Sequence, residues 1–269
     1  MAKPSLSAIV IAKNEAEQLP GCLKALAWVD EIVVVVDAAS RDATHQIARA
    51  SAHRVLIRAF DTFAAQRNAG HAIASGDWIF AVDADERATP ALAHEIRTQL
   101  DNSTPPCTGY RVPIRSRLFG REFRFSGTQL DRPIRLFQRA AGRWHGEVHE
   151  TVKLAGSVGT LSQHLNHTTH ETLREFLSKL NHYTDLEARG LRLAGKKPRT
   201  FDLTLRPLYT FLRLYFARLG VLDGRAGLLF CGLSAVSTAV TYAKLRELCE
   251  GRVDQDAAVA DFPELRGAA

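Results

Sequence analysis

Along the first hundred residues the chain switches between two hydrophobic periods. Short apolar runs, the mark of buried strands, occur at SAIVIA (7–12), EIVVVVD (31–37), RVLI (54–57) and DWIFAVD (77–83). The four consecutive valines of the second run make it apolar on both faces, as a central parallel strand requires. Between the runs the spacing becomes helical, at 15–28 after Asn14, at 40–52 with Ser40 as N-cap, at 61–75 up to Gly76, and at 89–100 with Thr89 as cap and Pro90 in the first turn. Repeated β-α units of this length predict a mostly parallel sheet with helices on both faces. Right-handed crossovers bring the C-terminal strand ends to one edge, where open α/β sheets bind ligands. The residues to inspect are therefore Lys13-Asn14-Glu15, Asp37 and Asp83-Ala84-Asp85-Glu86.

Beyond residue 106 the pattern changes. TGYRVPI, REFRFS and PIRLFQ, within 108–139, alternate and read as antiparallel strands or a hairpin added to the sheet. From 171 onward the chain reads as helical, which predicts an α/β domain over 1–170 and a helical region over 171–269. Arg199, Arg206 and Arg213 recur every seven residues among leucines and aromatics, with Pro207 marking a kink or a helix start. An apolar helix with a basic stripe suits a membrane interface, and equally an ordinary packed helix. Residues 226–243 carry no charge, the lower limit of a spanning segment. Their glycines, serines and threonines favour a helix that packs on a neighbour or dips into the interface over one that spans.

Composition narrows the class. With 46% hydrophobic and 24% charged residues in 269, the chain is a folded protein and not a disordered or collagen-like one. Its four cysteines form no C-x-x-C pair, which excludes a disulfide framework and a thiolate zinc site. The apolar stretch near the N-terminus is too short for a signal peptide, which points to the cytoplasmic side. The net charge of +6 is uneven, because residues 111–143 hold nine arginines against Glu122 and Asp131. A second basic zone covers 174–225, with 11 basic and 5 acidic residues. Such zones suit anionic lipid or a phosphorylated substrate. No recognition motif for nucleic acid accompanies them, so no nucleic-acid partner is expected.

The candidate chemistry lies in VDADE (82–86). Alternate residues of an extended chain point the same way, so Asp83 and Asp85 can face one spot. Two converging carboxylates repel each other unless a cation lies between them, and Mg²⁺ or Mn²⁺ is the natural cation for oxygen ligands. The alternative is that Asp85 and Glu86 merely charge the start of the next helix. Asp37 can accept hydrogen bonds from a sugar hydroxyl or a base N–H, or serve as a turn residue. Arg67 can fork onto a diphosphate, or be a surface charge.

IVIAKNE (9–15), VVVVDAASRDAT (33–44), AAQRNAG (64–70) and GDWIFAVDADER (76–87), in this order and spacing, resemble family 2 glycosyltransferases. GRWHGEVHE (142–150) and the helical tail resemble the bacterial branch that adds sugars to the lipopolysaccharide inner core, typified by β-1,4-glucosyltransferases acting on heptose. The resemblance implies a GT-A fold and an inverting, metal-dependent transfer from a UDP-sugar, glucose first among the donors. It implies that Asp37 contacts uracil, that Ala12, Asn14 and Glu15 line the nucleotide pocket, and that Arg67 meets the diphosphate. Asp83 then contacts ribose or metal, and Asp85 the metal. The family's usual D-S-G-S-T-D is here Asp37-Ala38-Ala39-Ser40-Arg41-Asp42, a departure that removes a hydroxyl and a glycine from the nucleotide contacts.

Transfer also needs a base for the acceptor hydroxyl. Glu147 is the first choice and Glu150 the second, with His149 as a third metal ligand or a diphosphate contact. The expected partners are a UDP-sugar, a phosphorylated glycolipid and the inner-leaflet surface, which makes the protein peripheral on the inner face of the cytoplasmic membrane. The competing readings are sugar transfer to a polyprenyl phosphate, a nucleotidyltransferase, which would need a Gly-rich phosphate loop absent from 9–21, and a non-catalytic membrane-associated scaffold of degenerate GT-A fold.

Overall fold

The computed structural model describes residues 3–101, 106–146, 150–170 and 172–251. The chain forms two compact units, Met1–Arg115 with Asp131–Thr168, and Ser116–Leu130 with Thr169–Ala269. The second unit includes the excursion 116–130, which the alternating pattern gave no reason to separate.

In chain order the elements up to the second unit's helices are β1 (Leu6–Ala12), α1 (Leu19–Ala25), β2 (Glu31–Asp37), α2 (Thr44–Ser51), β3 (Arg54–Arg58), α3 (Phe63–Ile73), β4 (Trp78–Asp83), β5 (Glu86–Ala88), α4 (Pro90–Asp101), β6 (Gly109–Arg111), β7 (Ile114–Leu118), β8 (Arg121–Glu122), β9 (Ile134–Gln138), β10 (Gly142–His145), β11 (Thr151–Leu154), β12 (Val158–Thr160) and β13 (Leu165–His170). A seven-stranded sheet runs in the order β12-β6-β9-β4-β1-β2-β3. Its strands β4, β1, β2 and β3 are parallel. β9 lies antiparallel to both β4 and β6, and so extends the sheet as the alternating pattern predicted. β10 and β11 form a separate hairpin, and β5 pairs antiparallel with β13.

The valine run forms β2, all seven residues of which are buried. Strand alternation divides the core between two faces. Val10, Val34, Phe80 and Val82 pack with Leu19, Leu23, Leu92 and Ile96 of α1 and α4. Ile9, Val33, Ile79 and Ala81 pack with Ala64 of α3, Phe137 and Trp144.

Three helix starts differ from expectation. α1 begins at Leu19, not beside Asn14, with Pro20 in its first turn. Asn14 instead takes a left-handed backbone (φ 53°) and its Oδ1 accepts the Arg41 N–H at 2.8 Å. α2 begins at Thr44, because Ser40 Oγ is occupied by the Asn14 N–H (3.3 Å) and Asp42 Oδ1 accepts the Thr44 N–H (3.0 Å). α4 starts where predicted, with Thr89 Oγ1 accepting from Leu92, and α3 starts at Phe63, two residues later than expected, with Thr62 Oγ1 accepting from Ala65.

α3 approaches the sheet closely at Gly70. A Cβ there would lie 2.7 Å from Ile9 Cγ2 and 2.9 Å from Val35 Cγ2. Gly70→Ala should cost about 1–3 kcal/mol through overpacking, despite the better helix propensity of alanine. A urea melt gives the number, and a neutral or stabilising result would mean that α3 floats freely over the strands.

In the second unit, α5 (Leu173–Leu193), α6 (Leu205–Leu212) and α7 (Gly224–Glu250) are the principal helices. α7 packs on α5 and α6. Its small polar residues face those neighbours: Thr241 Oγ1 donates to Glu187 Oε2 (2.9 Å) and Thr238 Oγ1 to Thr210 Oγ1 (3.3 Å). Gly227 lies so close to the Gly220 carbonyl that a Cβ would sit 2.0 Å from its oxygen. Larger apolar side chains face outward, among them Leu205, Leu208, Tyr209, Phe216 and Leu222.

Candidate active site

The loops that follow β1 and β2 are tied together by side chains. Besides the Asn14 bonds, Glu15 N–H donates to Thr44 Oγ1 (2.8 Å) and Ala16 N–H to Asp42 Oδ2 (2.9 Å). Glu15 is thereby held by its backbone at the wall between the two loops, with buried Ala12 ending the strand below it. Asp37, also buried, turns Oδ1 onto the Ala39 N–H (2.9 Å). Its buried Oδ2 pairs with the Lys13 ammonium at 3.1 Å.

Two strands away, at the end of β4, Asp83 is gripped from both sides. Arg67 Nη2 donates to its Oδ1 (2.6 Å), and Arg135 Nη2 to its Oδ2 (2.7 Å). The same Arg135 nitrogen reaches Glu86 Oε1 (2.7 Å), and Glu86 Oε2 accepts the Asp83 N–H (2.8 Å). Burial opposes the charge of Asp83, but Arg135 and then Arg67 outweigh it and hold the carboxyl well below the usual carboxylate range. For Glu86 the balance reverses, and burial pushes its carboxyl up against the pull of Arg135. Arg67 also donates through Nε to Glu150 Oε1 (3.2 Å), while its Nη1 is buried without a hydrogen-bond partner among the described residues. Asn68, one residue on, exchanges two bonds with the Trp144 backbone (2.9 and 3.2 Å), which brings β10 against α3.

Asp85 has different surroundings. Its Oδ2 meets His167 Nε2 of β13 at 3.1 Å. Burial acts against protonation of His167, but the Asp85 bond and the neighbouring carboxylates raise its pKa above the usual value. The turn that carries Asp85 is fixed by Arg87, whose guanidinium donates to the carbonyls of Ala84, Glu86 and Gln18. A hard divalent cation takes carboxylate oxygens and keeps sites for water and phosphate. Asp85 fits that requirement, since its Oδ1 receives no hydrogen bond among the described residues. Asp83 as arranged does not, because each oxygen is bonded to a guanidinium. No three His, Cys, Asp or Glu side chains cluster as a ready-made cage among the described residues.

The D-x-D spacing therefore leads to two carboxylates in separate ion-pair settings, not to a matched pair. Ala12, Asn14, Glu15 and Asp37 gather around the ends of β1 and β2, and Arg67, Asp83 and Glu150 form one network at the end of β4. Glu147 and His149 lie outside the described residues. Three participants were not anticipated: Arg135, Glu86 as a buried acceptor, and His167. An arginine within the apolar alternation PIRLFQ was the one available signal for Arg135. Nothing local marks His167, which reaches Asp85 through a pairing 82 residues apart in sequence.

A family model described as glycosyl transferase family 2 matches residues 7–148. The lipopolysaccharide core biosynthesis glycosyltransferase LpsC of Rhizobium meliloti (strain 1021) is 31% identical over 271 residues, covering 98% of this chain and 97% of that protein. An uncharacterized glycosyltransferase of Rickettsia bellii is 24% identical, over 90% of this chain and 86% of that one. Among solved structures, residues 1–349 of S. aureus TarS in complex with UDP are similar at a TM-score of 0.49 and 16% identity, with 93% of each chain covered. Matched by the family model over more than half its length, and aligned nearly end to end with a relative at 31% identity, the chain belongs to glycosyl transferase family 2.

Proposed function

We propose that this glycosyltransferase moves a hexose, with glucose the first candidate, from a UDP-sugar to a phosphorylated glycolipid of the lipopolysaccharide inner-core type, with inversion at the anomeric carbon. The observation that carries the reading is a buried guanidinium nitrogen in the network at the end of β4. Arg67 Nη1 donates no hydrogen bond among the described residues, while Asp37 Oδ2 is charge-paired with the Lys13 ammonium at 3.1 Å. Buried polar groups without such partners are rare and mark places where a ligand completes the bonding. Arg67 lies on α3 and is bonded to Asp83 at the end of β4, and Asp37 ends β2, two strand spacings or ~10 Å away from Asp83. A diphosphate oxygen suits Arg67 Nη1, and an N–H of the base suits the Asp37 carboxylate. The acceptor class follows from the full-length likeness to the Rhizobium protein named for lipopolysaccharide core biosynthesis.

In this reading Asp83 and Glu150 hold the Arg67 guanidinium so that its remaining nitrogen meets the leaving diphosphate. Asp85 would hold Mg²⁺ or Mn²⁺, which when bound neutralises diphosphate charge as a Lewis acid. The acceptor oxygen bonds to C1 as the C1–O bond to UDP breaks. UDP leaves with the electron pair, and the acceptor proton goes to a carboxylate. Glu150 spends an oxygen on Arg67, so Glu147 takes the role of base.

Glu147→Gln should abolish transfer and leave UDP binding nearly intact. Full activity in that variant overturns the assignment of the base. A binding and turnover screen of UDP-, GDP- and dTDP-sugars with Mn²⁺ or Mg²⁺ tests the donor. UDP-glucose is the expected preference, and failure to bind any nucleotide sugar would favour the scaffold reading.

The outward-facing leucines and aromatics of α6 and the turns after it, beside Arg213, Arg218 and Arg225, support a protein lying on the inner leaflet. α7 is long and apolar enough to cross a membrane and little of it is buried, but its threonines bond to α5 and α6, and we read it as lying in the interface with its neighbours and not as spanning. Carbonate or high salt should therefore release the protein from membranes, and retention after both would indicate a span.

A further inference from the structure

A concave site lies in the first unit, away from the sheet edge that carries Asp83. It is a cavity of about 440 Å³ lined by His71, Arg139, Gly142, Arg143 and Lys153. Arg139 is fixed to the residues that precede β4, donating through its backbone N–H to the Asp77 carbonyl (2.9 Å) and through Nε to the Gly76 carbonyl (2.8 Å). Asp83 closes the same strand, so the two sites stand roughly 20 Å apart along it.

The charge of this cavity is of one sign. Arg143 and Lys153 occupy directly opposed positions of the antiparallel β10–β11 hairpin. Like charges in that relation are destabilising, so the pair represents an electrostatic cost without benefit in the protein alone. No carboxylate lies at ion-pair distance from Arg139, Arg143 or Lys153 among the described residues. The floor is rigid. His71 Nε2 donates to the Arg139 carbonyl (2.9 Å), and its ring packs against Phe137 and Trp144. Gly142 lets the hairpin lie directly on Phe137, since a Cβ there would come within 2.6 Å of Cδ2 of that ring. Burial, and the fields of Arg143 and Arg139, push His71 below its usual pKa despite its carbonyl bond.

We propose that this cavity binds a phosphoryl group. Two planar guanidinium forks and an ammonium on a fixed floor match a tetrahedral oxyanion, and an anion between them removes the Arg143–Lys153 repulsion. The site is independent of the donor reading and of the acceptor that the sheet edge serves. The phosphoryl group belongs either to a soluble phosphorylated saccharide or to a lipid headgroup, and the chemistry at the pocket is the same.

Inorganic phosphate titrated into the ¹⁵N-labelled full-length protein at constant ionic strength should produce saturable amide shifts at residues 139–143 and 153. Arg143→Ala/Lys153→Ala, both surface changes, should weaken this binding by about tenfold or more. Lys24→Ala/Arg49→Ala, which removes equal charge elsewhere, should leave it unchanged. Shifts that do not saturate, or that persist at full affinity in the first variant, overturn the proposal. Competition by mannose 6-phosphate alone assigns a saccharide source. Competition by vesicles of phosphatidylcholine with phosphatidic acid alone assigns a lipid source.

Discussion

Asp85→Asn should lower kcat/KM by about 10²–10³, the usual cost of removing one group that stabilises developing charge in a transition state. The substitution keeps the size of the side chain, and the amide can still pair with His167, so the turn fixed by Arg87 is retained. What is lost is the negative charge at Oδ1, the oxygen that no protein group occupies among the described residues. The loss should therefore appear as a raised requirement for Mn²⁺, with the binding of UDP in the presence of a chelator unchanged. Initial rates across a Mn²⁺ series, beside calorimetry of UDP with a chelator, separate the two effects. A variant with the wild-type Mn²⁺ response would remove Asp85 from the metal site. Equal loss of metal-free UDP binding would show instead that the substitution had collapsed the nucleotide pocket.

The sheet was legible because its strands announce themselves through burial on both faces. A run such as EIVVVVD has no other stable place than the middle of a parallel sheet, and crossover handedness then fixes the edge at which Asp37 and Asp83 emerge. Helix starts were less legible at Asn14 and Ser40. Both are good caps locally, but each is drawn into bonds between the two loops, and tertiary contacts override the capping preference. The spacing of Asp83 and Asp85 showed that both emerge at one edge, but not what each one meets. That depends on Arg135 from a strand that returns 52 residues later and on His167 from β13. Such long-range partners leave no periodic trace. Arg135 was detectable only as a charge inside an apolar strand, a local inconsistency of the sort that marks functional or buried-pair positions.

Arg135→Met should destabilise the protein by about 3–5 kcal/mol, the cost of leaving a buried carboxylate without its cation. Methionine fills much of the same volume, so the effect reports charge and hydrogen bonding more than a cavity. Glu86 is almost fully buried, with its side chain 1% exposed, and Arg135 carries the charge that offsets it. Asp83 keeps Arg67 as a partner and is less affected. The dependence on pH has a definite sign. In the native protein Asp83 has a depressed pKa, so its stabilising contribution is complete above the unfolded value of about 3.9 and is lost as the pH falls toward the folded one. Glu86 has a raised pKa, so its burial is least costly when it is protonated and most costly once the pH has risen past its folded value. Removing Arg135 raises the Glu86 value further. Both contributions make the gap between native and variant widest near neutral pH and narrower as the carboxylates protonate. Urea melts across that range should show this convergence, and Arg132→Met, an exposed neighbour, should stay within about 0.5 kcal/mol throughout. A gap that stays constant with pH would mean that Arg135 acts through packing alone, and that the clamp on Asp83 contributes nothing electrostatic to the site.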